Sequence, residues 1–253
     1  MIDKRVATFD EAVGDVQEGA CLLIGGFGGP GECTSYLIAA VARKGVHDLT
    51  IVGNLGGWGL ERIAELRERM RTLVKFPADF YDQGLLVERG QVRRGILSFP
   101  AAAGHWRFPL EDRVETGEIE VELTPQGTLA ERIRAGKAGI PAFYCPVGPG
   151  TVTQDGKEMR KFDGRDHLLE HAVKGDFSLI RAHKADRYGN LIYKGTSRTF
   201  NATMAGASGV TIAEVDEIVE PEELTAEEIV TPGIYVQRVV VRPSSPQPWQ
   251  GAM

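Results

Sequence analysis

The stretch Ala20-Cys21-Leu22-Leu23-Ile24-Gly25-Gly26-Phe27-Gly28-Gly29-Pro30-Gly31 decides how this chain folds. Its first five residues form an unbroken apolar run, the pattern of a strand buried on both faces. A glycine-rich loop follows. Beyond it Tyr36, Leu37, Ala40 and Val41 recur at helical spacing, and Gly45 stands where a helix closes. Leu49–Val52 is a second apolar run. Strand, loop, helix, loop and strand in that order specify a parallel pair joined by a crossover helix. The expected fold class is therefore α/β: an open, mostly parallel sheet with flanking helices in Rossmann-like layers.

The same punctuation continues in both directions. Thr8 and Glu11 form an S/T-x-x-E capping box that predicts a helix over about 9–18, ended by Gly19. A second glycine cluster spans 53–59, and a charged amphipathic helix is expected at about 61–71. Arg94–Ser98 and Glu118–Leu123 read as strands, Thr124-Pro125-Gln126-Gly127 as a turn, and Leu129–Arg134 as a helix. Phe143–Val147 reads as a strand, with irregular chain to about 165. Asp176–Ala182 and Leu191–Lys194 flank a hairpin-like turn at Gly189-Asn190. Thr211–Val219 and Tyr235–Arg242 are the last expected strands. Without repeat or interdomain linker, residues 1–253 read as one domain, with a loose tail at about 243–253.

Composition narrows the function. Hydrophobic residues are 42% and charged residues 25%, as in ordinary soluble enzymes. Glycine is in excess, at 31 of 253 residues, about 12% against a usual ~7%. The net charge of −6 argues against nucleic acid as the partner. The N-terminal residues lack an apolar signal core, and no 18-residue apolar run offers a membrane span. Cys21, Cys33 and Cys145 lack metal-type spacing, and three cysteines in a chain this size fit a reducing, cytoplasmic compartment.

Four features carry potential chemistry. The glycine loop leads into a helix N-terminus, whose N–H groups and partial positive charge attract phosphate or carboxylate. Gly26 to Gly31 match G-x-G-x-x-G, but Pro30 removes a donor and no acid closes the second strand, so a tight structural turn competes. Gln126 offers amide donors suited to a developing oxyanion, against a solvent-facing turn residue. His167-Leu168-Leu169-Glu170-His171 matches the inverted zincin pattern, yet lacks a third ligand, so a surface helix is expected and no metal. His183, Lys184, Arg187, Tyr188, Lys194 and Arg198 make either an anion surface or a solvated hairpin. No G-x-S-x-G exists, and no catalytic nucleophile is visible.

Six blocks together resemble one family. They are residues 22–32, 49–54, 122–144, 156–170, 176–193 and 231–240, of which Leu123-Thr124-Pro125-Gln126-Gly127-Thr128-Leu129 and the residues up to Tyr144 are the most specific. The chain resembles the α subunit of the family I 3-oxoacid coenzyme A transferases over about residues 2–242. Ser98-Phe99-Pro100 and Tyr235-Val236-Gln237-Arg238 look like its 3-oxoadipate:succinyl-CoA branch. The chain departs from that branch at Ala101-Ala102-Ala103-Gly104, and it carries an extra segment at about 59–80.

The resemblance implies a division of labour. A β subunit would supply a nucleophilic glutamate, in an αβ or α2β2 assembly, and coenzyme A thioester would be a substrate with no tightly bound cofactor. Gly25, Gly26, Phe27, Gly28, Gly29, Pro30 and Gly31 would form the coenzyme A loop. Gln126 would be the oxyanion donor, and Asn54 would lie near the substrate, with Leu55 replacing a second family asparagine. A dicarboxylate acceptor would need a cation, for which Arg94 or Arg107 are the candidates. Three competing expectations remain: part of an acetoacetate-type transferase, part of a ring-opening thioester hydrolase, or a non-catalytic binding component.

Overall fold

A computed structural model of the chain describes residues 2–27, 29, 32–72, 76–102 and 106–247. In chain order the elements are α1 (Phe9–Ala12), β1 (Cys21–Ile24), α2 (Ser35–Lys44), β2 (Leu49–Leu55), α3 (Gly59–Arg69), α4 (Gly84–Glu88) and β3 (Val92–Phe99). Then come α5 (Pro109–Glu115), β4 (Glu120–Leu123), α6 (Gln126–Ala138), β5 (Ala142–Cys145), β6 (Met159–Phe162) and β7 (Arg165–His171). The last are β8 (Gly175–Asp186), β9 (Leu191–Ile192), α7 (Thr199–Met204), β10 (Ser208–Val219) and β11 (Arg238–Val241).

The large sheet runs β11-β10-β8-β1-β2-β3-β4, with every pairing along that path parallel. The short β9 adds antiparallel to β8 through the turn expected at Gly189-Asn190, where Gly189 has φ +83°. The apolar run of β1 reflects burial on both faces. Leu22 and Ile24 pack in one cluster with α2, α4 and α5, while Leu23 packs in the other with α6 and α7. Gly45 closes α2 at φ +74°, the left-handed position that favours glycine.

Strands β2 to β4 build outward on one side of β1, and β8, β10 and β11 on the other. The strand order thus reverses between β1 and β8. In open α/β sheets ligands bind outside the carboxyl ends of the strands at such a point. The glycine loop leaves β1 there.

Several expectations are corrected. The N-terminal helix covers only Phe9–Ala12, because Gly14 follows and turns back onto the Glu11 carbonyl at 3.1 Å. The Pro125-Gln126-Gly127 stretch is not a free turn: Gln126 is the first residue of α6, with Pro125 at the N-cap. The irregular chain before 165 contains β6, and His167 to His171 lie on β7 rather than on a helix. β5, β7 and β6 form a separate antiparallel sheet in that order. Residues of the 59–80 segment pack against the body: Ile63, Leu66 and Phe80 are buried. The end of the tail, from residue 248, lies outside the described residues.

Candidate active site

The carboxyl ends of β1, β2 and β4 bring Phe27, Asn54 and Gln126 together. The Asn54 side-chain Nδ2 donates to the Phe27 carbonyl at 3.0 Å, and Gln126 Nε2 donates to Asn54 Oδ1 at 2.6 Å. This chain of bonds has one consistent direction. A backbone carbonyl only accepts, so Asn54 must turn its NH2 toward Phe27 and its oxygen toward Gln126. Gln126 must then present its own NH2 to Asn54. The backbone of the glycine loop therefore sets how the Gln126 amide is oriented. One amide hydrogen of Gln126 remains for a ligand, since Asn54 takes only the other.

That hydrogen is open to an acceptor. Asn54 is 3% exposed, while Gln126 is half-buried and reachable. Gln126 opens the 13-residue helix α6, whose first turn holds no acid. The positive end of that helix adds to the field at the amide. Space for a ligand exists beside it, because a side chain at Gly127 would meet no atom within 4 Å.

The glycine loop is held on both sides. The Gly25 N–H donates to the Leu179 carbonyl at 2.9 Å, and the Phe27 N–H donates to Glu32 Oε2 at 3.0 Å. Gly26 has φ +108°, where a side chain would be strained. Gly25 is glycine for another reason: a Cβ there would lie 1.9 Å from Asn201 Oδ1. Gly25→Ala is expected to displace that amide and to cost about 1–3 kcal/mol, as overpacking does. Chemical unfolding of the variant checks this, and an unchanged midpoint would refute it. Gly28, Pro30 and Gly31 lie outside the described residues.

The helix N-terminus after the loop is already occupied. Tyr36 N and Leu37 N, in the first turn of α2, donate to Glu214 Oε2 at 3.0 and 3.1 Å. Thr34 Oγ1 donates to the same oxygen at 3.2 Å. The expected phosphate seat at α2 is thus filled by a carboxylate of the chain itself. Glu32 and Glu214 both escaped the sequence reading. Glu214 had a legible signal, an acid inside an apolar strand run between Ala213 and Val215, and acids are almost never fully buried unless paired.

The two arginine candidates sit elsewhere. Arg94 points from β3 to Glu122 at 2.9 Å, five residues before the carboxyl end of its strand. Glu122 is shared with Arg132 at 2.5 Å, so Arg94 belongs to an ion-pair chain between β4 and α6. Arg107 pairs with Asp112 at 3.0 Å and Glu115 at 2.7 Å. It borders a cleft of about 790 Å³ lined by Trp58, Arg62, Leu85 and Phe108, among others, and by neither Asn54 nor Gln126. The structure therefore groups neither arginine with Gln126.

The remaining features read as structure. On β7, Leu168 and Glu170 turn inward with 0% and 1% exposure, while His167 and His171 share the opposite face. Strand spacing thus replaces the helical spacing that a zincin site needs. His183, Lys184 and Arg187 pair across to Asp216, Glu217 and Glu220. Burial pushes the Cys21 thiol up to about 11, so it stays protonated at neutral pH.

This geometry sits in a chain that residues 6–76 and 61–242 match to the Coenzyme A transferase family. The chain belongs to that family. It is 42% identical over 248 residues to the A subunit of the 3-oxoadipate CoA-transferase of Acinetobacter baylyi, covering 97% of this chain and 98% of that one. It is 40% identical over 238 residues to the A subunit of the succinyl-CoA:3-ketoacid coenzyme A transferase of Helicobacter pylori, covering 94% and 92%. An acyl-CoA transferase of Escherichia coli O157:H7, solved as a thioester complex with CoA, shares the fold at a TM-score of 0.78 and 23% identity. That match covers 100% of this chain and 49% of the solved one. Among the described residues no helix is long and apolar enough to cross a membrane.

Proposed function

We propose that this chain is the non-nucleophile subunit of a two-subunit coenzyme A transferase. It moves coenzyme A from an acyl-CoA, with succinyl-CoA as the favoured donor, to a 3-oxo acid, with 3-oxoadipate as the favoured acceptor. The observation that carries this reading is the oriented Phe27–Asn54–Gln126 relay. It presents a donor for an oxyanion, and among the described residues no acid, thiol or hydroxyl side chain bonds to Asn54 or Gln126 to serve as nucleophile. Both relatives are named as A subunits, which supports a partner chain bearing the missing carboxylate. Half of the solved acyl-CoA transferase chain lies beyond this chain's match, room for such a partner.

In this reading the partner's glutamate attacks the acyl-CoA carbonyl. The negative charge passes to the carbonyl oxygen, which takes the free Gln126 N–H. Collapse releases coenzyme A thiolate and leaves an acyl–glutamyl anhydride. The thiolate attacks the glutamyl carbonyl, expelling the first carboxylate and leaving an enzyme–CoA thioester. The acceptor carboxylate then attacks that thioester, and the same steps run in reverse, which gives ping-pong kinetics. Gly26 and Gly29 serve by letting the thioester approach a backbone without side-chain bulk, while Gly25 and Phe27 hold the loop in place through their backbone bonds, rather than the loop seating phosphate at α2. Coenzyme A enters as substrate, no resident cofactor or metal takes part, and the reaction belongs in the cytoplasm. The chain acts as one unit, with Ile63, Leu66 and Phe80 of segment 59–80 buried. Neither Arg94 nor Arg107 is assigned to the acceptor's distal carboxylate, because each is already paired with acids.

The test is a transfer assay on this chain co-purified with the product of its neighbouring gene. Succinyl-CoA is the donor, with 3-oxoadipate and acetoacetate competing as acceptors. Preference for 3-oxoadipate is expected, and preference for acetoacetate would move the assignment to the short-chain branch. Release of free coenzyme A without an acceptor would replace the transferase reading by thioester hydrolysis.

A further inference from the structure

The relay depends on where the Phe27 carbonyl stands, and Asn201 packs against the loop that carries that carbonyl. Asn201, on α7, is 0% exposed. Its Oδ1 accepts the Arg181 N–H at 2.8 Å. Its Nδ2 donates to the Glu32 carbonyl at 3.0 Å and to the Ser197 carbonyl at 2.8 Å. Two carbonyls and one N–H fix which end of the amide is which. The same amide fills the space left by the missing side chain of Gly25, where a Cβ would come within 1.9 Å of Oδ1.

The glycine loop is therefore tied at both ends to one strand. At its start Gly25 donates to Leu179 of β8. At its end Glu32 reaches Arg181 of β8, two residues further on, through the Asn201 amide. Inside that frame the Glu32 carboxylate takes the Phe27 N–H, and the Phe27 carbonyl is left to orient Asn54. Phe200, the neighbour of Asn201, lies over the Phe27 ring with centroids 6.4 Å apart.

We propose that Asn201 is a positioning residue, which holds the glycine loop so that the Phe27 carbonyl aims Asn54 and, through it, Gln126. This rests on the transferase reading above. Asn201 touches no reacting atom; it acts through the Glu32 and Gly25 backbone on a donor at the far end of three hydrogen-bonded groups.

The experiment uses this chain assembled with its partner and measures kcat and the acyl-CoA KM separately, per titrated active site. Asn201→Ser is expected to lower kcat about 10- to 100-fold, the scale of a small misplacement of a catalytic group. The KM is expected to stay within about threefold. In a Gln126→Ala background the same change is expected to cost less than about twofold, because residues acting in one chain are not additive. A kcat loss that is equally large in both backgrounds would overturn the proposal, as would a normal kcat per site with only a lower melting temperature. If Asn201→Ser fails to assemble, Glu32→Ala takes its place. It frees the Phe27 N–H, and the same kcat loss and the same non-additivity are required of it. A wild-type complex that transfers no coenzyme A at all would strike the functional reading instead, which keeps the two failures apart.

Discussion

Gln126→Ala is expected to lower turnover of the assembled enzyme by about 10²–10³-fold, the usual consequence of removing one oxyanion donor. The geometry makes the loss fall on kcat. Gln126 is half-buried at the first position of α6, and its only side-chain partner among the described residues is Asn54. Its removal breaks no core packing, and water can satisfy Asn54 Oδ1. In the proposed mechanism the charge that the amide meets exists only once a nucleophile has added to the carbonyl, so ground-state binding of acyl-CoA should be little affected. Gln126→Glu sharpens the case. It keeps the size of the side chain but turns an acceptor toward Asn54 Oδ1 and toward the developing anion, so it should be at least as damaging. The measurement is steady-state kcat with the partner bound. A loss below threefold, with assembly intact, would remove Gln126 from the chemistry.

Why parts of this picture were legible in the sequence and parts were not follows from the kind of burial involved. The β1–α2–β2 unit is written in apolar runs because both faces of its strands are covered, and Gly45 marks the helix end by its conformation. β6 carried no such mark, since Met159, Arg160, Lys161 and Phe162 are all exposed and an exposed strand has no apolar period to show. The His167–His171 spacing misled for a geometric reason. Residues four apart share a face on a strand as they do on a helix, and only the inward Leu168 and Glu170 tell the two apart. Pro125 likewise serves both a turn and a helix start. The site was legible only as separate residues. Asn54 and Gln126 lie 72 positions apart, and the bond between them is made by the parallel order of β2, β3 and β4, not by any local pattern. The arginines failed for the opposite reason: they are conspicuous cations in sequence, but the fold has already given them acids.

Glu214→Ala is expected to destabilise the chain by about 3–5 kcal/mol, the range for breaking a buried ion pair from one side. Glu214 is 0% exposed. Burial pushes its carboxyl up from the ordinary range, and Arg242 pulls against that shift. Four donors converge on it: Thr34 Oγ1, Tyr36 N, Leu37 N and Arg242 Nη1, the last at 2.5 Å. Alanine would leave two N–H groups of α2 without a partner in a place that water does not reach. It would also leave Arg242, whose side chain is 12% exposed, with Asp79 at 2.8 Å as its nearest remaining acid. Glu214→Gln retains an acceptor for α2 but sets its amide or its neutral oxygen against Arg242, so a smaller loss is expected. The double variant Glu214→Ala with Arg242→Met removes the stranded cation and should recover part of the stability, because the two residues are coupled. Guanidinium unfolding of the three variants measures this series. A loss below about 1 kcal/mol for Glu214→Ala would mean that α2 and Arg242 find other partners, and that the carboxylate at the helix end is not what keeps the strand-to-helix junction behind the glycine loop in place.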